Sequence, residues 1–161
     1  MSAETGHDGG RRLTCSVPMR WGDMDAYGHI NNVEIIRILE EARIHAFGPP
    51  AGTGLPGLDV ELPVFNNMPE GTQALVAEHR VRYLMPLNYR NIPARVEVWI
   101  SAINGASLTV AYAIHDPVTG AQCVAAETVL AFFQTDTRTL LRVDAGKKAL
   151  LRPLLGASNF R

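Results

Sequence analysis

Cysteine is scarce in this chain: Cys15 and Cys123 are the only two, and they lie far apart. Neither a disulfide framework nor a zinc site is suggested by such a pair. No apolar run approaches the ~20 residues that a membrane helix needs. The opening stretch, MSAETGHDGGRR, has no apolar core of the kind a secretory signal carries. Lys/Arg blocks are missing too. With 15 Lys+Arg against 16 Asp+Glu and a net charge of −1, the balance argues against nucleic acid as the main partner. No G-x-S-x-G elbow is present, so serine-hydrolase chemistry on an α/β-hydrolase scaffold has no support. The G-x-G-x-x-G match at Gly52, Gly54 and Gly57 follows Pro49-Pro50 where a strand is required, and Pro56 sits where a helix should start. It reads as a loop, not a dinucleotide site. What is present is a chain of 161 residues, 47% hydrophobic and 19% charged. That is enough for one domain with its own core, and it excludes global disorder. A cytoplasmic protein that neither spans nor binds a membrane is the expectation.

Three segments are expected: a flexible N-terminal tail over 1–11, one domain over 12–140 and a C-terminal tail, weakly structured or helical, over 141–161. From Leu13 the pattern alternates, with Leu13, Cys15, Val17 and Met19 on one side, as in a half-buried strand. A polar turn-forming stretch, RWGDMDAYGHINN, leads into a helix over Asn32 to Phe47, closed by Gly48 and Pro49-Pro50. Ile35, Leu39, Ala42 and Ala46 form its apolar stripe, widened by Val33, Ile36 and Phe47. Arg37 and Glu41 can pair on the polar strip.

A Gly/Pro-rich loop follows to about Asp59, and then four strand candidates. Along Gln73–Met85, alternation puts Leu75, Ala77, His79, Val81 and Tyr83 on one face. Ala94–Ile103 and Leu108–Ile114 are joined at Asn104-Gly105, a dipeptide that tolerates a tight hairpin turn. After a turn at Asp116–Gly120, residues Ala121 to Gln134 are apolar on both faces, which places that strand centrally or against another subunit. Strand, long helix, then antiparallel strands make an α+β fold with a curved antiparallel β-sheet wrapped around one long central α-helix.

The densest group of reactive side chains, Asp23, Asp25 and His29, lies immediately before the helix. Free backbone N–H groups and a partial positive charge at a helix start stabilise anions. A carboxylate there can serve as nucleophile or general base while the N–H groups meet an oxyanion. Gly28 would let a substrate approach the backbone closely. The competing reading is that these residues only cap the helix and shape a turn. Cys123 and the histidines His79 and His115, all in strand patterns, read as core or structural residues.

The block from Arg20 through Asp23, Asp25, Gly28 and His29 to Asn31-Asn32 resembles the signature of hotdog-fold acyl-CoA thioesterases, most closely the 4-hydroxybenzoyl-CoA thioesterase-like branch. The similarity continues through Leu39-Glu40-Glu41-Ala42-Arg43 and the Leu84-Met85-Pro86-Leu87 corner, over about residues 12 to 135. The resemblance implies hydrolysis of an acyl-CoA thioester to a carboxylate and free CoA. Asp25 matches the catalytic carboxylate, and the Asn32 backbone N–H matches the donor that polarises the thioester carbonyl. Gly28 matches the loop glycine and Asp23 the first aspartate, which holds the loop. His29 occupies a variable position and would orient Asn side chains or a water. The resemblance further implies a homodimer or homotetramer with active sites at subunit interfaces.

No cofactor and no metal are expected beyond the coenzyme A of the substrate, since nothing adds a fixed ligand set to Asp23, Asp25 and His29. Some hotdog thioesterases carry the catalytic carboxylate on the helix, which brings Glu40 and Glu41 into view; pairing with Arg37 or Arg43 is their simpler use. Arg80, Arg82, Arg90 and Arg95 are candidates for the CoA phosphates by composition alone. The alternatives on this fold are a hydratase or dehydratase of CoA- or carrier-linked acyl groups, and a non-catalytic acyl-CoA-binding dimer.

Overall fold

In the computed structural model, which describes residues 4–7, 9–49 and 60–160, the alternating segments pair as expected. The strands are β1 (Glu4–Thr5), β2 (Leu13–Val17), β3 (Thr72–Tyr83), β4 (Ala94–Ile103), β5 (Ser107–His115), β6 (Gln122–Gln134) and β7 (Thr139–Leu140); the helices are α1 (Asn32–Phe47) and α2 (Ala145–Leu151). All described strands join one antiparallel sheet in the order β1-β4-β5-β6-β3, with β2 also on β4 and β7 on the end of β6. Strand β6 lies between β5 and β3, with its inner face in the main core and part of its outer face crossed by Ser158 and Asn159. The sheet wraps around α1, and Ile35, Ile38, Leu39, Ala42, Ala46 and Phe47 of the helix are buried against it. This is the hotdog architecture.

Helix α1 has the expected bounds. Asn31 caps its start by accepting a hydrogen bond from the Val33 N–H at 3.0 Å, and the Gly48 N–H closes its end on the Ile44 carbonyl. Val33 departs from the expected stripe and is 69% exposed. The β4–β5 hairpin forms at Asn104-Gly105, with neither residue at positive φ. The Gly/Pro-rich segment at 50–59, with its glycine motif, lies outside the described residues.

Strand β3 departs from simple alternation. Its register with β6 shifts between Val76 and Glu78, so Ala77 is an inserted residue. One slip inverts which side chains face the core. As a result Ala74, before the shift, and Val81, after it, both pack against the main core, while Leu75 and Val76 are left part-exposed. His79 meets Thr128 on the inner face at 2.9 Å.

The C-terminal residues, expected as a tail, are built into the domain. Leu151 and Leu154 enter the main core, and the chain then crosses the outer face of the sheet. There the Trp99 indole N–H donates to the Ala157 carbonyl at 3.0 Å, and the Asn159 amide donates to the carbonyls of Tyr112 and Ala126. Gly156 lies so close to Trp99 that a Cβ would sit 2.8 Å from its ring. At the other terminus, Glu4 and Thr5 add a short ladder to β4 inside the segment expected to be flexible.

Candidate active site

The loop before α1 is organised by two aspartates that do different things. Asp23 ends a single 3-10 turn and is fully buried. Its carboxylate accepts from the Arg20 N–H at 2.8 Å, from Arg20 Nε at 2.9 Å and from Arg37 Nη2 at 2.6 Å. Arg37 also donates to Glu34 at 2.8 Å and to Glu41 at 2.6 Å. Burial alone would raise the Asp23 carboxyl. The hydrogen bonds from Arg20 and the charge of Arg37 outweigh it and hold the group below the usual carboxylate range. The Asp23 carbonyl accepts the Asn31 N–H at 2.8 Å, tying the loop to the helix start.

Asp25 is only half-buried. Its Oδ1 accepts from the Tyr27 N–H at 2.7 Å and the His29 N–H at 3.1 Å, which folds the chain into a tight turn. Oδ2 has no partner among the described residues. Gly28 takes a φ of +80° within this turn, while a Cβ there would meet nothing within 4 Å. In the chain by itself, then, conformation and not close packing is what calls for glycine. His29 and Ile30 lie against the 87–88 segment through the His29–Asn88 bridge and the Ile30 N–H to Leu87 carbonyl bond at 2.8 Å.

A cavity of about 550 Å³ opens beside this turn, bordered by Asp25, His29, Asn31 and Asn32. Residues Tyr83 to Leu87 at the end of β3 form its opposite wall, and Ile35 and Val124 also line it. The Tyr83 hydroxyl donates to the Asn32 carbonyl at 3.2 Å, bridging the two walls. Since Asn32 begins the helix, its N–H has no intrahelical acceptor, and none of the described residues accepts it. The site therefore combines a carboxylate oxygen, an open backbone donor and apolar walls.

Asp25, Gly28, His29 and Asn32 come together in one turn and helix start. Asp23 is next to them in sequence but faces the arginines. No cluster of three or more potential metal ligands occurs among the described residues. Glu40 and Glu41 border a different hollow with Arg37, Ile44 and His45, and Glu41 pairs with Arg37. The arginines proposed for phosphates are placed elsewhere: Arg80 pairs with Glu78, Arg90 with Asp116, and Arg82 lies 5.1 Å from the Phe160 ring. Arg95 does not line the cavity. Cys123 is buried, and burial pushes its thiol up. His115 is bonded to Glu97 at 2.6 Å. Sequence reasoning missed the roles of Tyr83 and Val124. The available signal was a strand that ends in large apolar side chains, Tyr83, Leu84 and Met85, just before a proline.

The model of the thioesterase-like superfamily matches residues 19–155; the chain belongs to that superfamily. No curated protein matches the sequence. Among solved structures, the chain is similar to a predicted thioesterase from Bacillus stearothermophilus, with 20% identity and a TM-score of 0.72 over 92% of this chain and 100% of that one. A candidate thioesterase from Pseudomonas aeruginosa shares 26% identity with a TM-score of 0.62, over 86% and 98% of the two chains. A thioesterase from Thermus thermophilus, solved with coenzyme A and zinc, shares 20% identity with a TM-score of 0.66, over 89% and 99%. Among the described residues, no helix is long and apolar enough to cross a membrane.

Proposed function

We propose that this member of the thioesterase-like superfamily hydrolyses an acyl-CoA thioester to the free carboxylate and CoA. The observation that carries the reading is that the Asp25 carboxylate and the open N–H at the start of α1 border the same cavity. A thioester carbonyl that accepts the Asn32 N–H is polarised, and the charge that develops on its oxygen is met by a donor already in place. Asp25 then acts in one of two ways. As a base, it takes a proton from water, the hydroxide attacks the carbonyl carbon, and the C–S bond breaks with the proton passing to the CoA sulfur. As a nucleophile, it forms a mixed anhydride with loss of CoA thiolate, and water then cleaves the anhydride. Gly28 shapes the turn, His29 orients water or amide groups at its edge, and Asp23 holds the loop.

Coenzyme A as the carrier is supported by the thermophile relative solved with that molecule. A second copy of the chain completes each site in this reading. Supporting it, β3 is an edge strand whose twelve residues are nearly all open, and it leads directly into the exposed wall at Tyr83, Leu84 and Met85.

The test is thiol release from short, long and aromatic acyl-CoA thioesters. Wild type releases thiol, and Asp25→Asn lowers kcat at least ~100-fold, about 2.7 kcal/mol of barrier. Release by neither protein from any thioester overturns the reading. Hydration of an enoyl-CoA without thiol release would then identify a hydratase, and binding without turnover a non-catalytic binder.

A further inference from the structure

We infer that Arg37 is a positioning residue for Asp25: through the buried Asp23 carboxylate it fixes the hairpin that presents Asp25 to the start of α1. Its effect on rate rests on the thioester reading of Asp25, whereas the geometry behind it lies in contacts within one chain. Residues Asp23 to Asp25 and His29 to Asn31 form a miniature antiparallel hairpin. Its base is the bond from the Asn31 N–H to the Asp23 carbonyl at 2.8 Å, and its middle is the Met24–Ile30 bridge. The bond from the Asp25 N–H to the His29 carbonyl at 2.7 Å closes its tip. Asp25 therefore stands at the tip, while Asp23 stands at the base beside Asn31 and Asn32. On its other side, the 29–30 arm is pinned to Leu87 and Asn88. A shift of the base moves the Asp25 carboxylate relative to the Asn32 N–H, the two groups that must meet one thioester.

What holds the base is a closed ring of charges. Arg20 reaches Asp23 at 2.9 Å and Glu34 at 3.3 Å. Arg37 reaches the same two carboxylates at 2.6 and 2.8 Å, and Glu41 at 2.6 Å. The two arginines are not equivalent. Arg20 belongs to the loop itself, and its side chain is 64% exposed, so its only hold on the helix is the long contact to Glu34. Arg37 lies in the second turn of α1, among Ile35, Ile38 and Leu39, which are buried in the core. Its backbone is thereby fixed, its side chain is 26% exposed, and it bonds Asp23 directly. Its Nε, Nη1 and Nη2 serve three different carboxylates, which takes the planar fork of a guanidinium. A lysine offers one nitrogen and cannot span all three. Because the Asp23 carboxylate is fully buried, its pairing with Arg37 is little screened by salt. An ångström of misplacement at reacting groups can cost about a hundredfold in rate, so a guanidinium remote from the thioester has leverage over it.

Two variants test this, Arg37→Lys, which keeps the charge, and Arg37→Gln, which removes it. Each should lower kcat for thiol release about tenfold or more with KM within about threefold of wild type, measured on folded protein well below its Tm. A kcat within about twofold of wild type in both variants, or a loss confined to KM, overturns the inference while leaving the hydrolase reading intact. A cycle with Asp23→Asn tests the route. The double variant should lose little more than the larger single loss, and losses that multiply overturn the route through Asp23. Hydrogen exchange reads the same coupling without turnover. In Arg37→Gln the bonded amides between Asp23 and Asn31 should exchange at least ~tenfold faster, with those of β4, β5 and β6 unchanged. Unchanged exchange in the hairpin, or an equal rise across the sheet, overturns the inference whatever the turnover. A wild type that releases no thiol, together with a hairpin loosened in Arg37→Gln, keeps the positioning and loses the proposed reaction.

Discussion

Asp23 and Asp25 are two residues apart on one loop and share the same side-chain chemistry, yet their surroundings are opposite. Asp23 is fully buried, and both of its oxygens are taken by Arg20 and Arg37. Asp25 is half-buried, borders the cavity and spends one oxygen on its own turn, leaving the other without a partner among the described residues. A carboxylate saturated by two guanidiniums is a poor nucleophile and a poor base, because its charge is already neutralised. In the proposed reaction this contrast separates holding from reacting: the first aspartate fixes the backbone from which the second is presented.

The sharpest break of this comparison is Asp25→Asn. Its Oδ1 still accepts from Tyr27 and His29, so we expect a kcat loss of at least ~100-fold with Tm within about 2 °C of wild type, read by thiol release and calorimetry on one preparation. Asp23→Ala should do the reverse in its first effect. It strands Arg37 beside a buried gap and should cost about 2–4 kcal/mol, a fall of roughly 5–15 °C in Tm. This estimate is held below that of a fully buried pair because Arg20 and Arg37 retain water access. A Tm unchanged in Asp23→Ala would remove the distinction.

The two sites should also part company in acid. Asp23 has its folded carboxyl lowered below the unfolded value near 3.8. Its contribution is therefore present above that value and lost as pH falls through the folded one. Plotted against pH, the Tm gap between wild type and Asp23→Asn should be constant near neutrality and close below about pH 4. Smallest is Asn31→Ala, which removes the cap on Val33 but leaves the backbone bond to Asp23. We expect a loss of about 1 kcal/mol in urea denaturation.

How far the sequence could be read depends on how local the determining signal is. The bounds of α1 were legible because a capping Asn31, a stripe at Ile35, Leu39, Ala42 and Ala46, and Gly48 all lie within the helix and its ends. That the candidate residues share one turn was legible for the same reason, since Asp23 to Asn32 is one short stretch. The facing of β3 was not. A single inserted residue at Ala77 inverts the alternation, and nothing in the local pattern announces it. The floor of the cavity was equally hidden, since it joins Ile35 to Val124 across the fold. The fit of Gly156 on Trp99 likewise depends on two segments far apart in the chain, so residues 141–161 read as a tail when taken alone.

The open ladder of β3 has a consequence for handling as well as for assembly. A long exposed edge, with Leu75 and Val76 part-exposed, is a template for indiscriminate aggregation. Glu78, Arg80 and Arg82 set charges along the same strand, the kind of side chain that discourages unselective edge pairing. Salt weakens that protection. The ionic strength of a storage buffer thus sets how strictly this edge chooses its neighbours.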